Sequence, residues 1–596
     1  MRTPKVLVVA VAVAAMSLAA APAASAHKGR HTPPKTASIT LLATTDVHGN
    51  INNWDYFKNA PYADRSGDTK GLASTASIVK AVRAEKGKNN VVVVDDGDVL
   101  QGTPLDYYFA VREPFTKTKF DHPMAVAYNT IGYDAQVVGN HEFNYGIPLL
   151  NAYVKEAHFP VLGANVINVK TGKPYYRPYT MITKAVPGGR PIKIGIVGVT
   201  TPGSAIWDKA NVEGKLRFDD MVTTAAKWVS IVRARGADIV IVLAHGGVGG
   251  MSSYGGDLPA ENPADIIAHK VPGIDVVVVG HTHRDVPVQW VTNQVTGKEV
   301  LLTQPKYWAQ TVSEVDFTLS RTTEHSRWSV DSMHQTSLRA KDYPEDPAFT
   351  AALKYYDDKT LAYVNQVVAQ SVQDLPATEA RYKDTAIMDF IQKVQTDTVK
   401  QAMAGTPYAN TPVLSIAAPF SRTAVFPKGD VTIRDIAGLY IYDNTLEGVV
   451  MTGQEVKDYL EYSAKYFATV PAGGTFDPAT MTNAPHGATP DYNYDIISGI
   501  NYDIDISQPV GSRIVHMTMP AGTPVSLTDT FVVAVNNYRA SGGGNFPHIA
   551  TAPVVYNQLK EIRQLLINSA SAAGVIDPRD FFVQNWQLTI AGVTAV

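Results

Sequence analysis

VVVVDDGD (residues 91–98) and VVGNHEFNYG (137–146) follow one pattern. In each, a run of β-branched apolar residues stops abruptly at metal-binding side chains, the first at Asp98, the second at Asn140 and His141. Such runs read as strands buried on both faces, and an open α/β sheet builds its sites at the carboxyl ends of its strands. Three further stretches repeat the pattern. LLATTDVHGN (41–50) ends on Asp46 and His48, IVIVLAHGG (239–247) on His245, and DVVVVGHTH (275–283) on His281 and His283. One histidine after an apolar run is usually a loop residue, and one aspartate usually forms a turn or a helix cap. Five such endings in one half of a chain, with the pairs Asp46-x-His48 and His281-x-His283 among them, point jointly to a metal site.

The donor set selects the metal class. Carboxylates, imidazoles and one amide oxygen, without any thiolate, suit Mn, Zn, Co or Fe. With His141 set aside, the candidates Asp46, His48, Asp98, Asn140, His245, His281 and His283 are too many for one tetrahedral ion. They suit two divalent ions sharing a carboxylate. Such ions sit ~3.5–4 Å apart and clamp the attacking and leaving oxygens of a phosphoryl displacement.

In this order, DxH, GDxxQG, GNHE, AHGG and GHTH resemble the calcineurin-like metallophosphatases. TTDVHGNI (44–51), GDVLQGTPLDYY (97–108), GNHEFNYG (139–146) and VTTPGSAIWDKAN (199–211) are closer still to one branch of the 5′-nucleotidase family, the bacterial 2′,3′-cyclic-nucleotide 2′-phosphodiesterase/3′-nucleotidases. The resemblance covers nearly the whole chain beyond residue 26. It implies that Asp98 bridges the two ions, that Asp46, His48 and His283 complete one site, and that Asn140, His245 and His281 complete the other. It also implies that His141 is a catalytic hydrogen-bond donor or acid beside the transferring phosphoryl group.

The rest of the chain fits an exported enzyme. Its 596 residues, 45% hydrophobic and 18% charged, are long enough for two or more cores. A net charge of −3 gives no support to a nucleic-acid scaffold, which needs basic stripes. Cysteine is absent, which excludes disulfides and thiolate chemistry. Arg2 and Lys5, the apolar run 6–21 and the small residues Ala24-Ser25-Ala26 read as a signal peptide over 1–26. Residues 27–37 read as a disordered leader, and no segment near the C-terminus reads as a membrane anchor. The expected location is therefore secreted, extracellular or periplasmic.

Alternating strand and helix texts make 38–319 an α/β domain, with amphipathic helices at 71–86 and 221–235 and a strand at 192–199. EVLLTQ (299–304) and TVSEVDFTL (311–319) are expected to close it as a β pair. The resemblance implies a four-layer α/β/β/α sandwich. Residues 320–366 read as a linker whose second half, 345–366, is a helix capped by Asp346 with Pro347 at its first position. Residues 367–596 form an α/β second domain. Its helix texts are 386–402, 452–467 and 552–569, its strand texts are 413–418 and 531–536, and 472–490 reads as a long surface loop. Thr452 and Glu455 make a capping-box pattern.

In this second domain APFSR (418–422), LYIYDNTLEG (439–448) and NNYRASGGGNFP (536–547) present Arg422, Tyr442, Asn444 and Tyr538. With 29 tyrosines in the chain, most must be ordinary half-buried residues, and a glycine triplet is usually a tight turn. The resemblance makes this a 5′-nucleotidase-type substrate-binding domain. Tyr442 and Tyr538 fall where that family stacks the nucleobase, and Arg422 and Asn444 fall at its polar substrate contacts. Two positions depart from the 5′-nucleotidases. Asn144 stands where many carry an Asp that orients the catalytic histidine, and Gly544 stands where GGDG carries Asp. A neutral amide cannot stabilise an imidazolium as a carboxylate does. Both departures favour the cyclic-phosphodiesterase branch.

The expected activity is hydrolysis of 2′,3′-cyclic nucleotides to 3′-nucleotides, then removal of the 3′-phosphate. The alternatives are a 5′-nucleotidase or UDP-sugar hydrolase, and a non-catalytic nucleotide-binding or adhesion protein. The complete ligand set argues against the last. The expected partners are nucleotide substrates, with no membrane anchor, and the chain is expected to act as a monomer.

Overall fold

The computed structural model describes residues 35–596 apart from 65, 251, 255 and 484–488. The expected signal peptide and most of the expected leader lie outside the described residues. Of the leader, Thr36 and Ala37 already belong to the strand Thr36–Thr44.

Two six-stranded sheets lie face to face. The first runs, edge to edge, Ser329–Arg339, Thr311–Ser320, Thr36–Thr44, Val91–Asp95, Ala135–Val137 and Val161–Leu162. The second runs Asp285–Thr292, Glu299–Pro305, Val276–Val279, Ile239–His245, Ile192–Thr200 and Tyr179–Lys184. The parallel strands of each end at the same edge as the site.

The continuous apolar runs are explained by burial on both faces. Side chains alternate across a strand, so each run feeds two cores. Leu41, Ala43, Val92 and Val94 meet Ile239, Ile241, Leu243, Val276 and Val278 between the sheets. Leu42, Val91 and Val93 face outward under the helices Leu72–Lys86, Pro123–Ile131 and Ile147–Glu156. Val240, Val242, Ala244, Val277 and Val279 do the same under Met221–Ala234 and Ala264–Lys270. The order of layers is α/β/β/α.

Two expectations are corrected here. Glu299–Pro305 and Thr311–Ser320 do not pair. The first belongs to the second sheet and the second to the first sheet, where Ser329–Arg339 is its antiparallel partner. The chain changes sheet through a turn in which Lys306, Trp308 and Ala309 all have positive φ. Residues 320–366 are therefore not all linker, since they supply an edge strand. Their helix, Pro347–Val364, is capped by Asp346, which accepts from the amides of Ala348 (2.9 Å) and Phe349 (3.0 Å). It joins two cores: Phe349, Leu353 and Tyr356 pack in the first domain, and Tyr363 and Val364 in the second.

The second domain is built on the sheet Ile496–Ser498, Val413–Ala417, Thr530–Asn536, Thr445–Thr452 and Val554–Glu561. The last of these corrects the helix expected over 552–569. Only Ile562–Ala573 is helical, because Val554, Val555 and Tyr556 open a β-branched and aromatic stretch that pairs beside Thr445–Thr452. The capping box of Thr452 and Glu455 forms. The expected loop 472–490 contains the helical turn Pro478–Met481, and residues 484–488 within it lie outside the described residues.

At Gly198 the two sheets approach each other closely. A β-carbon there would lie 2.6 Å from Cβ of Leu162 and 2.8 Å from Cγ2 of Val137. Gly198→Val should wedge the sheets apart and lower stability by about 1–3 kcal/mol, the usual cost of overpacking. Urea denaturation reads the effect, and an unchanged midpoint would contradict the close approach.

Candidate active site

Each candidate ligand stands at the carboxyl end of a parallel strand. Asp46 and His48 follow Thr36–Thr44, Asp98 follows Val91–Asp95 and Asn140 follows Ala135–Val137. His245 ends Ile239–His245, and His281 and His283 follow Val276–Val279. The first four come from one sheet and the last three from the other, so the site spans the gap between the sheets.

The turns that aim these side chains are strained. Asp46, His48, Asp98, His281 and His283 have φ of 50°, 49°, 59°, 68° and 54°. Non-glycine residues rarely adopt this region, at about 1–3 kcal/mol each, unless their surroundings impose it. Hydrogen bonds between turns do so here. The amide of Asp46 donates to Gly97 O (2.9 Å), that of His48 to Asp98 O (2.9 Å) and that of Trp308 to Asp46 O (2.8 Å). The carboxylate of Glu142 accepts from the amides of Asp98 (2.9 Å), Val99 (2.6 Å) and Leu100 (3.2 Å), and from that of Gly139. Glycines precede the ligands where turns nearly touch. A β-carbon at Gly139 would lie 2.2 Å from Asp98 Oδ1, and one at Gly280 would lie 2.3 Å from Thr45 Oγ1.

Two groups of three converge: Asp46, His48 and His283, and Asp98, His245 and His281, with the ligand atoms of each within 4.8 Å of one another. Asp98 stands between them, its Oδ2 lying 3.1 Å from His245 Nε2 and 3.9 Å from His48 Nε2. Asn140 Oδ1 is 3.2 Å from His245 Nε2. The second nitrogen of three imidazoles is committed elsewhere. His48 Nδ1 faces Gln101 O at 2.6 Å, His245 Nδ1 faces Asp96 O at 2.5 Å, and His281 Nε2 faces Glu261 Oε1 at 2.8 Å. A nitrogen facing a carbonyl or carboxylate must carry the proton, so the opposite lone pair points inward. His48 Nε2 and His283 Nε2 are then 3.0 Å apart. His283 stacks on Tyr307 with ring centres 4.8 Å apart.

The electrostatics call for positive charge. Burial, and then His283, pushes His48 down to about 3, keeping the ring neutral. Burial opposes a charge on His245, yet Asp98, Asp46 and Asp96 push its imidazole well above the ordinary value. Burial also opposes ionisation of Asp98, yet His245, His141 and His48 hold its carboxyl well below the ordinary range. Converging carboxylates and inward lone pairs fit divalent cations in both chemistry and spacing.

His141 is oriented differently from the ligands. Its amide donates to Asp98 Oδ1 (2.8 Å), while its Nδ1 faces Asn144 Oδ1 at 2.7 Å. The Asn144 amide in turn donates to Asp208 Oδ1 (2.8 Å).

The second domain approaches this site through residues 440–444. Asp443 Oδ2 accepts from Gln101 Nε2 (2.9 Å) and from the Tyr145 hydroxyl (2.6 Å), and its Oδ1 pairs with Arg563 at 2.6 Å, both side chains being buried. Tyr442 packs edge-on against Phe420 (5.2 Å) and Tyr492 (6.4 Å). Burial, then the phenols of Tyr492, Tyr538 and Tyr440, push its hydroxyl up, so Tyr442 and Tyr538 share one aromatic neighbourhood. Gly543 leaves room for the Tyr538 ring, whose Cε2 would lie 2.6 Å from a β-carbon there. At Gly544 (φ 80°) a β-carbon would meet Arg539 at 2.6 Å and Asn493 at 2.7 Å, so an aspartate would not fit this turn as it stands. Arg422 is held by Asp491 through two contacts (2.5 and 2.8 Å). The Asn444 amide lies 3.5 Å from the Tyr440 hydroxyl.

Several of these residues escaped the sequence reading. Glu142 stands in the GNHE text, but nothing local shows that its carboxylate turns back on the Asp98 loop. Trp207, stacked on His281 with ring centres 5.3 Å apart, and Asp208 lie in the quoted text 199–211 without a ligand-like pattern. Glu261 and Tyr492 follow no apolar run, and Asp443 ends the run LYIY (439–442), where nothing local shows that it reaches Gln101 and Tyr145.

Comparison with known proteins identifies the family. Residues 39–285 match the family described as calcineurin-like phosphoesterase, and residues 364–551 match the 5′-nucleotidase C-terminal domain. The 2′,3′-cyclic-nucleotide 2′-phosphodiesterase/3′-nucleotidase of Salmonella typhimurium is 34% identical over 602 residues, covering 93% of this chain and 89% of that one. The trifunctional nucleotide phosphoesterase protein YfkN of Bacillus subtilis is 31% identical over 92% of this chain, which spans only 39% of that relative's length. The crystal structure of a putative 5′-nucleotidase from Staphylococcus aureus superposes with a TM-score of 0.74 at 24% identity, covering 93% of this chain and 100% of that one, and shares the fold.

Asp443→Ala would leave the buried Arg563 guanidinium without its nearest carboxylate. Breaking a buried pair from one side costs roughly 3–5 kcal/mol. Chemical denaturation should show a loss of that order, and a loss below about 1 kcal/mol, the scale of exposed pairs, would mean water reaches Arg563.

Proposed function

Because the chain belongs to the 2′,3′-cyclic-nucleotide 2′-phosphodiesterase/3′-nucleotidase family of metallophosphatases, we propose that it opens 2′,3′-cyclic nucleotides to 3′-nucleotides and then removes the 3′-phosphate. The observation that carries this reading is the convergence of two ligand groups on Asp98, with imidazole lone pairs turned inward. Asp46, His48 and His283 would hold one divalent ion, Asn140, His245 and His281 the other, and Asp98 both. Bound there, two such ions supply Lewis acidity toward phosphoryl oxygens and a water of lowered pKa. Mn, Zn, Co and Fe all suit the donors.

The protein's own groups divide the remaining work. The carbonyls of Gln101 and Asp96 and the carboxylate of Glu261 fix which nitrogen of His48, His245 and His281 faces inward. His141 donates a hydrogen bond to the transferring phosphoryl group or to the leaving oxygen. Tyr442 and Tyr538 stack the base. Asn444 and Arg422 contact polar substrate atoms, Arg422 while sharing its guanidinium with Asp491. Asn144 and Gly544 support the cyclic-phosphodiesterase branch over the 5′-nucleotidases. Among the described residues no helix is long and apolar enough to cross a membrane. Residues 1–26, read as a signal peptide, support a secreted enzyme.

The deciding assay compares 2′,3′-cAMP, 3′-AMP and 5′-AMP. The first two should be the better substrates by kcat/KM, and a preference for 5′-AMP would overturn the assignment. Purified protein should carry close to two transition-metal ions per chain by this reading, and chelation should abolish turnover. Glu261→Ala should weaken binding of one ion about 10- to 100-fold, since carboxylates behind ligating histidines carry that weight. Metal titration reads this effect, and two undiminished sites would remove Glu261 from the design.

Tyr442→Ala and Tyr538→Ala separate base binding from chemistry. Base–aromatic stacking is worth ~1–3 kcal/mol, or roughly 5- to 150-fold in kcat/KM. That loss should appear on every nucleotide and nearly vanish on bis-p-nitrophenyl phosphate. Equal losses on both would mean that these rings only hold the fold.

A further inference from the structure

Asp208 lies between the short helices Ser204–Trp207 and Lys209–Val212 and is 4% exposed. It binds no candidate ligand. Its Oδ1 accepts from the Asn144 amide at 2.8 Å, and its Oδ2 has no hydrogen-bond partner. The same segment grips the main chain beside Asn144. Asn211 Nδ2 donates to Phe143 O (3.0 Å) and to Asn144 O (2.9 Å). Asn144 is thus held at both its backbone and its side chain by residues 208–211.

An asparagine amide has nearly the same shape in its two flipped orientations, so its partners decide which atom faces which way. A carboxylate accepts only. With Asp208 on one side, Asn144 must turn its NH2 toward Asp208 and its oxygen toward His141. That oxygen can only accept, so Nδ1 must carry a proton; His141 then donates from Nε2 as the imidazolium and is left as the Nδ1–H tautomer once that proton has passed on. Removing Asp208 would permit the reverse arrangement, with the NH2 facing an unprotonated Nδ1, which excludes the imidazolium.

We propose that Asp208 is a positioning residue that, through Asn144, fixes the tautomer and ring orientation of His141. Across two hydrogen bonds it does what a carboxylate at position 144 does across one. This answers the departure at Asn144: the carboxylate stands one hydrogen bond further back, in a segment 64 residues away in sequence. Burial pushes the Asp208 carboxyl up to about 7, while Asn144 and His141 draw it back. Only the carboxylate, which cannot donate, imposes the orientation of Asn144, and that constraint weakens as the carboxyl takes up a proton.

The inference rests on the reading of His141 as the group beside the transferring phosphoryl. The test is kinetics on 3′-AMP with the metal-loaded enzyme. Asp208→Asn keeps the side-chain shape and removes the charged acceptor. It should lower kcat about 10-fold or more, within the range for residues that orient a functional histidine, with KM little changed. The exchanged pair Asn144→Asp/Asp208→Asn puts the carboxylate directly on His141 and gives it the new amide as a donor. It should recover kcat to within a few-fold of the unmodified enzyme, and it decides the matter even if Asp208→Asn alone folds poorly. A merely structural Asp208 would not be rescued by moving its charge. Wild-type kcat in Asp208→Asn, or an exchanged pair that folds, keeps its ions and remains inactive, would overturn the proposal. His141→Ala separates the two levels. If it turns over normally, the reading of His141 itself fails. If it is slow while Asp208→Asn is not, only the role of Asp208 falls.

Discussion

One buried carboxylate holds the turn on which the site depends. Glu142 gathers the amides of Asp98, Val99, Leu100 and Gly139, four donors that would otherwise be orphaned at the end of two strands. Buried amides without acceptors cost about 1–3 kcal/mol each, so a charged acceptor here stabilises a turn that sterics disfavour. Asp98 is thereby fixed at φ 59° with its carboxylate between both ligand groups. The His141 amide closes the loop by donating to Asp98 Oδ1. GD at 97–98 and GNHE at 139–142 are one structural unit, joined by hydrogen bonds rather than by sequence.

The strained backbone and the electrostatics have one origin. Seven donors from two sheets can converge only if the turns bend sharply and the glycines at 139 and 280 let them nearly touch. Convergence buries carboxylates among imidazoles, and the group is stable only with balancing positive charge. Asp98, Asp46 and Asp96 favour a proton on His245 against its burial, and divalent ions held there would supply the charge more completely. Stability of the fold and occupancy of the site are therefore linked, as they are wherever a ligand binds only the folded state.

Asp443 ties the second domain to this arrangement. Gln101 presents its carbonyl to His48 and its side-chain amide to Asp443, so one residue touches both the candidate ligand cluster and the second domain. Tyr145, beside Asn144, reaches the same carboxylate. Tyr442 and Asn444, the neighbours of Asp443, carry the proposed substrate contacts. The proposed base contacts and the proposed phosphoryl site are thus linked by a short polar chain that crosses the domain boundary.

The sequence by itself determined the strands that end at ligands, because an apolar β-branched run broken by Asp or His is a local signal. It likewise determined the capped helices at Asp346 and Thr452, whose partners lie within three residues. It could not determine that Glu299–Pro305 and Thr311–Ser320 part to different sheets, since both have strand composition and only packing on opposite partners separates them. The stretch 554–561 became a strand because an open sheet edge lay beside it, against its helical appearance. Glu142, Glu261, Asp208 and Asp443 were invisible as functional residues for the same reason. Each acts on a group 40 or more residues away or on another turn, or through an intermediate side chain, and a carboxylate shows its role only when the fold has placed its donor.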